Sequence, residues 1–383
     1  MNTYRMPAEW EPHRATWLAW PKNKITWPGK VLKEVEEIYL QMISALLTGE
    51  KVYLLVDSKD TVRNILTRLT LRKIKARNLD FIGVKTVDTW IRDYGPMFVV
   101  RCHSEQVRCR SKLLPNVISR SEGPRDLITR LDEISRFARN DSAEIAFVKW
   151  RFNAWGGKYG DFARDNRVVD KIISLKSYHR FDPGIVMEGG SVDVNGRGTL
   201  LTTEQCLLNS NRNKKLLRAE IEGYLKKYLG VRNIVWLKEG IEGDDTDGHV
   251  DDLSRFVNPT TIVTATETDP RDKNHAVLEE NLEILKAARS EKGKKFTIVE
   301  LPMPGRVRRG RGDMAQARLP ASYANFYIAN KVVLVPVYSH KNDKQALKIL
   351  RRVFPGRRVI GIECTPLVYG LGSIHCVTQQ QPK

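Results

Sequence analysis

The chain has 383 residues, 41% apolar and 28% charged, with a net charge of +19. That length can bury a large core, the apolar share is that of a soluble globular protein, and no apolar run reaches the roughly 18 residues of a membrane span. The first residues lack the basic-then-apolar layout of a secretory signal, so a cytoplasmic protein is expected. Helical spacing opens the element pattern at 30–48, where Val31, Val35, Ile38, Met42 and Leu46 make one face. Strand-like runs follow at 50–57, 81–87 and 96–100, with a helical pattern over roughly 60–77. The stretch 101–143 is polar and separates 96–100 from the next strand, 145–152, with which it would otherwise form a hairpin. It reads as a surface insertion, partly helical or unstructured, because structureless loops of that length are uncommon inside a compact domain; a family-specific loop is the plainer alternative. Strands then recur at 198–203, 233–238, 260–266, 295–301, 331–337 and 357–363, and helices over roughly 213–229, 274–290 and 342–353. The alternation suggests a repeated strand–helix unit, although no sequence repeat is visible.

Five cysteines, Cys102, Cys109, Cys206, Cys364 and Cys376, are scattered and odd in number, which argues against a disulfide framework. No Cys-x-x-Cys pair or histidine spacing suits zinc. Cys206 and Cys364 lie among apolar residues and read as packed thiols. Cys376 is different: it follows the glycine-rich "GLGSI" and stands next to His375. The positive charge raises the prospect of nucleic acid or anionic surfaces, but it is spread along the chain without a recognition motif. Its one local cluster, "GRVRRGRGDMAQARLP" (305–320), reads as an exposed loop.

Polar residues gather at turns in four places: "DTWIRDYGP" (88–96), "VMEGGSVDVNGRG" (186–198), "EGDDTDGHVDD" (242–252) and "GLGSIHC" (370–376). Each alone is a weak signal. The third mimics the opening of a calcium loop, but the glutamate needed at the twelfth loop position is missing. Trp90 and Trp155 read as core aromatics, with Trp90 also a candidate wall of a pocket beside Asp88 and Asp93.

In order, "MPAEWEPHRATWLAWP", "DTWIRDYGP", "RFNAWGGKY", "MEGGSVDVNGRGTLLTTEQCLLNSNRN", "DDTDGHVDD", "LPASYANFYIANKVVLVPVY" and "GSIHCVTQQQP" resemble the agmatine deiminase family of the guanidine-modifying superfamily. The resemblance spans the chain except 101–143. It implies a pentein fold: a five-bladed α/β propeller of ββαβ units around a central substrate channel, one catalytic domain over 1–383 with 101–143 inserted. It also implies hydrolysis of agmatine to N-carbamoylputrescine and ammonia, in putrescine biosynthesis, with no metal or organic cofactor, and a homodimer. Cys376 would be the nucleophile, Asp93 and Asp251 would bind the guanidinium, and His249 would be the general acid–base, paired with Glu188. The chemistry fits, since a planar cation needs paired carboxylates to hold it and a thiolate to attack it. Asp88, Asp245 and Asp247 are candidates for the distal amine, with Trp90 lining the site. His375 should face away from the site if its segment is extended.

One departure lies in the motifs themselves: family members usually carry three glycines before the terminal motif, and here Leu371 replaces the middle one. Three other readings compete. A deiminase for peptidyl-arginine or free arginine shares the chemistry; free arginine needs a cation for its carboxylate, and Arg92 is the one candidate in the clusters. A basic nucleic-acid-binding protein with relic motifs is a rival from another class. A cysteine protease rests on Cys376 and a histidine alone.

Overall fold

The β-rich runs pair into five separate sheets in a computed structural model that describes residues 4–102, 145–174, 178–308 and 317–383. The insertion expected at 101–143 falls almost wholly outside the described residues, as do Cys109 and the middle of the basic loop. A common order recurs in the sheets. Two strands pair antiparallel, a helical segment crosses over, and a third strand returns parallel to the second. Met97–Arg101, Ile145–Val148 and His179–Phe181 follow it. So do Asp193–Val194, Thr199–Thr203 and Asn233–Leu237, then Ser254–Asn258, Thr261–Thr266 and Thr297–Pro302. Tyr327–Ile328, Val332–Val337 and Arg358–Glu363 make the fourth. The fifth joins the two ends of the chain: Gln379–Pro382 lies antiparallel to His13–Ala19, which runs parallel to Lys51–Val56, itself parallel to Leu79–Gly83. The hairpin expected across the insertion is present, with Met97 opposite Val148.

The middle strand of each unit is flanked on both sides and buried on both faces, which is why Val332–Val337 reads as an unbroken apolar run. Val31–Leu46 covers its sheet with Val35, Ile38, Met42 and Leu46, as its spacing predicts. The helices Lys59–Leu71, Arg218–Leu229, Asn274–Ala287 and Asp343–Val353 also stand where expected, the first three shortened by several residues. Lys59–Leu71 stops early because Lys73 takes a left-handed backbone, φ 57°. The residues before Arg218 instead make a short turn, Ser210–Asn213, that enters the functional site. Among the described residues no helix is long and apolar enough to cross a membrane.

Candidate active site

Five of the passages from one sheet to the next each deliver a polar residue to one region. Asp93 lies between Leu79–Gly83 and Met97–Arg101, and Glu188 between His179–Phe181 and Asp193–Val194. Asp245, His249 and Asp251 lie between Asn233–Leu237 and Ser254–Asn258, Asn325 before Tyr327–Ile328, and Cys376 before Gln379–Pro382. Glycines let these passages meet. A Cβ on Gly189 would stand 2.1 Å from the Arg92 carbonyl oxygen. One on Gly190 would stand 2.5 Å from His249 Nδ1 and 3.0 Å from both Asp251 Oδ2 and Asp93 Oδ1. The Gly-Gly after Glu188 is therefore a space requirement: it lets three polar side chains converge on one backbone.

A cavity of about 570 Å³ opens beside them, walled by Trp90, Trp155, Tyr159, Phe162 and Leu371, with Asp93, Asp161, Asp245 and Cys376 exposed to it. No lysine, arginine or histidine is among the described residues that line it. Asp93 accepts hydrogen bonds from Trp155 Nε1 at 3.0 Å and from the Gly190 amide at 3.0 Å. Trp155 is thus a wall of the cavity as well as a core aromatic. Burial pushes the Asp93 carboxyl up, opposed by the nearby His249 ring.

His249 is fully buried, with Nδ1 3.8 Å from Asp93 and Nε2 4.0 Å from Glu188. Burial disfavours its charge, but Asp93 chiefly, then Cys206 and Asp251, raise it well above the ordinary imidazole range. Glu188, expected to orient the ring and raise its pKa, stands 4.0 Å from it without a hydrogen bond, and Asp93 is the carboxylate that chiefly raises it. One Glu188 oxygen is held by Arg212 Nε at 2.7 Å, with both side chains fully buried, and burial leaves the carboxyl raised despite that cation. Arg212 also reaches Asp247 at 2.6 Å and the Thr246 carbonyl at 2.8 Å, tying Glu188 to the His249 loop.

Asp251 is reached from behind. His375 Nδ1 meets its Oδ2 at 2.6 Å, while His375 Nε2 meets Glu9 at 2.8 Å. Burial opposes the Asp251 charge, and His375 holds the carboxyl below its ordinary range. The expectation for His375 needs correcting in one respect. The segment 374–377 is a turn, so strand alternation does not apply; His375 stays off the cavity wall but grips a site carboxylate. Glu9 in turn meets Arg92 at 3.2 Å and Arg255 at 2.9 Å, so Arg92 is buried in this network and does not line the cavity.

Cys376 is nearly buried. Asn325 Nδ2 donates to its sulfur at 3.3 Å, and the Arg92 amide donates to its carbonyl at 3.2 Å, binding the Cys376 turn to the Asp93 turn. Burial pushes the thiol well up, and Asp251, Asp252 and Asp93 push it further. Asn325 was not singled out in the sequence, because "SYANFYIAN" shows no charge to mark it.

The three amine-site candidates separate. Asp245 lines the cavity, accepts from Tyr159 Oη, and is raised to about 6 chiefly by burial. Asp247 is neutralised by Arg212 and by Lys158 at 2.6 Å. Asp88 faces Asn23, Thr26 and its own turn and does not line the cavity. Asp161, unmarked in the sequence, does line it. Asp244 spends its carboxylate on the amides of Thr246, Gly248 and His249, so the acidic run is a folded turn.

Cys206, expected to be an inert packed thiol, is buried but brings its sulfur within 4.8 Å of donor atoms on Glu188 and His249. The Arg212 guanidinium already holds Glu188 there. Cys364 is a packed thiol as expected.

A thiol and carboxylates on the wall of an acidic, aromatic-walled cavity, with a buried imidazole raised well above its ordinary range behind them, form a site suited to covalent chemistry on a cation. Residues 5–382 match the family described as Porphyromonas-type peptidyl-arginine deiminase, and the chain belongs to that family. It is 34% identical to an agmatine deiminase of Medicago truncatula, over 99% of this chain and 96% of that one. It is 33% identical to an agmatine deiminase of Ectopseudomonas mendocina, over 99% and 95%. The solved agmatine deiminase of Enterococcus faecalis superposes with a TM-score of 0.81 at 28% identity, covering 100% of this chain and 96% of that one.

Proposed function

We propose that the protein hydrolyses agmatine to N-carbamoylputrescine and ammonia, a step toward putrescine. The observation that carries the choice of substrate is the cavity lining: carboxylates at Asp93, Asp161 and Asp245, and no cation among the described lining residues. A guanidinium with an alkyl amine is attracted at both ends. Free arginine would bring a carboxylate against this field, and Arg92, its one candidate partner, is committed to Glu9 and Gln380.

Before substrate binds, burial first and then the neighbouring carboxylates favour the protonated thiol. A bound guanidinium between Asp93 and Asp251 supplies the positive charge that lets the thiol lose its proton to solvent, which returns it to the thiolate after the product leaves. The thiolate, with Asn325 donating to it, attacks the guanidinium carbon. His249 gives its proton to one nitrogen, which leaves as ammonia, and an S-alkylthiouronium remains on Cys376. Neutral His249 then takes a proton from water as the hydroxide adds to the same carbon. Collapse expels the thiolate, releases one proton that ammonia takes up, and yields the ureido product. Glu188 and Asp93 stabilise the imidazolium in both halves.

The five sheets and five contributing passages support a propeller of five ββαβ blades around this cavity. The site is a small-molecule site in one catalytic domain, with 101–143 an insertion into it; cytoplasmic location and a homodimer remain part of the reading. Steady-state assays with agmatine, arginine and a blocked arginine peptide test it. Agmatine should have the highest kcat/KM, and a preference for either arginine form overturns the substrate. Salt-sensitive DNA binding without ureido product from any guanidine would favour the nucleic-acid rival.

A further inference from the structure

Leu371 holds a side chain where the backbone favours none. Its φ is 72°, in the left-handed region that glycine adopts freely and leucine does not. The glycines on either side are compulsory for space. A Cβ on Gly370 would stand 2.8 Å from Thr26 and 2.9 Å from Trp27, and one on Gly372 would stand 2.5 Å from Trp90. The middle position alone has room, and the room is the cavity: Leu371 is half-buried and lines it beside Trp90 and Cys376. The turn is pinned, with the Leu371 amide donating to the Val368 carbonyl at 2.9 Å. Non-glycine residues held in this backbone region persist where surrounding structure fixes them, and they concentrate at functional sites. Trp155, φ 54°, is a second such residue on the same cavity.

We propose that Leu371 is a specificity-determining residue, an apolar wall that selects unbranched alkylguanidines over guanidines carrying a substituent on the carbon that bears the amine. A polymethylene chain can lie against its methyl groups, whereas a branch has to occupy the space they fill. The cavity charge rejects a carboxylate; Leu371 rejects bulk, so an uncharged branch is excluded too. The inference rests on the agmatine reading above, and its test is built to fail separately from it.

Agmatine is compared with arginine amide, which keeps the guanidinium and amine and adds a neutral branch, for wild type, Leu371→Ala and Leu371→Gly. Circular dichroism and a melting curve establish that each variant is folded. Opening the wall should lower the preference for agmatine in kcat/KM by about tenfold or more in Leu371→Gly and by less in Leu371→Ala, the scale set by losing hydrophobic shape selection. The loss for agmatine should fall on KM more than on kcat, because the contact proposed for Leu371 is with the alkyl chain and its removal leaves Cys376 in place. The same ratio is read without turnover as calorimetric dissociation constants in the Cys376→Ala background, with and without Leu371→Gly. A ratio unchanged in folded variants, by turnover or by binding, overturns the assignment. Absence of agmatine turnover by wild type overturns the functional reading instead, and the binding ratio still decides Leu371.

Discussion

Gly190→Ala changes one hydrogen to a methyl at the meeting point of His249, Asp93 and Asp251. The added carbon would stand 2.5 Å from His249 Nδ1, where ordinary contact begins at 3.4 Å, and 3.0 Å from one oxygen of each aspartate. Restoring contact moves the imidazole by roughly 1 Å, and misplacement of that size in a catalytic array costs on the order of 10²-fold. That is about 2.7 kcal/mol of transition-state stabilisation. Gly190 is not among the residues with a left-handed backbone, so alanine is conformationally allowed and the effect should fall on the site. The assay is kcat/KM for agmatine by ureido colour, with a melting curve to show that the variant is folded. A folded Gly190→Ala enzyme within about threefold of wild type would refute the convergence of these three side chains as the catalytic arrangement.

Three further expectations concern charge and the substrate's two ends. With Asp245 raised to about 6 by burial, lowering the pH from 7 to 5 protonates it and removes the attraction for the distal amine. The KM for agmatine should therefore rise as pH falls through that range, and Asp245→Asn should raise KM at pH 7 and flatten this limb of the profile. Arg212→Met leaves Glu188 buried without its cation; breaking a buried pair costs about 3–5 kcal/mol, readable as a lower denaturant midpoint, and an unchanged midpoint would contradict the pairing seen here. The Leu371 substitutions should shift substrate preference as described above.

The candidate set was legible because reactive residue types sit at turns between strands, in an order that resembled a family motif by motif. The segment "GDDTDGHVDD" gave His249 and Asp251, and Gly-Gly after Glu188 marked a bent backbone. Other parts depend on tertiary packing that no local pattern carries. Arg212 stands in "NRNKK" and reads as one more surface cation, yet its side chain is fully buried against Glu188. Asn325 lies in an apolar run, and its use appears only when the turn of Cys376 is brought against it. Glu9, near the start of the chain, meets His375 near the end because the terminal strands share a sheet. Among the strands, Gln379–Pro382 went unmarked since its residues are polar, and Tyr327–Ile328 since it is only two residues long. The glycine turn before Cys376 was legible as a turn and Leu371 as the departure within it; the left-handed backbone of that leucine was not.

The central claim is that Cys376 attacks a guanidine held in this cavity, and it is tested most directly by product formation from agmatine with wild type and Cys376→Ala. Wild type should give a ureido product and ammonia in equal amounts, and folded Cys376→Ala should give neither above background. A Cys376→Ala enzyme that turns over at the wild-type rate, or a wild type that forms no ureido product, would contradict it.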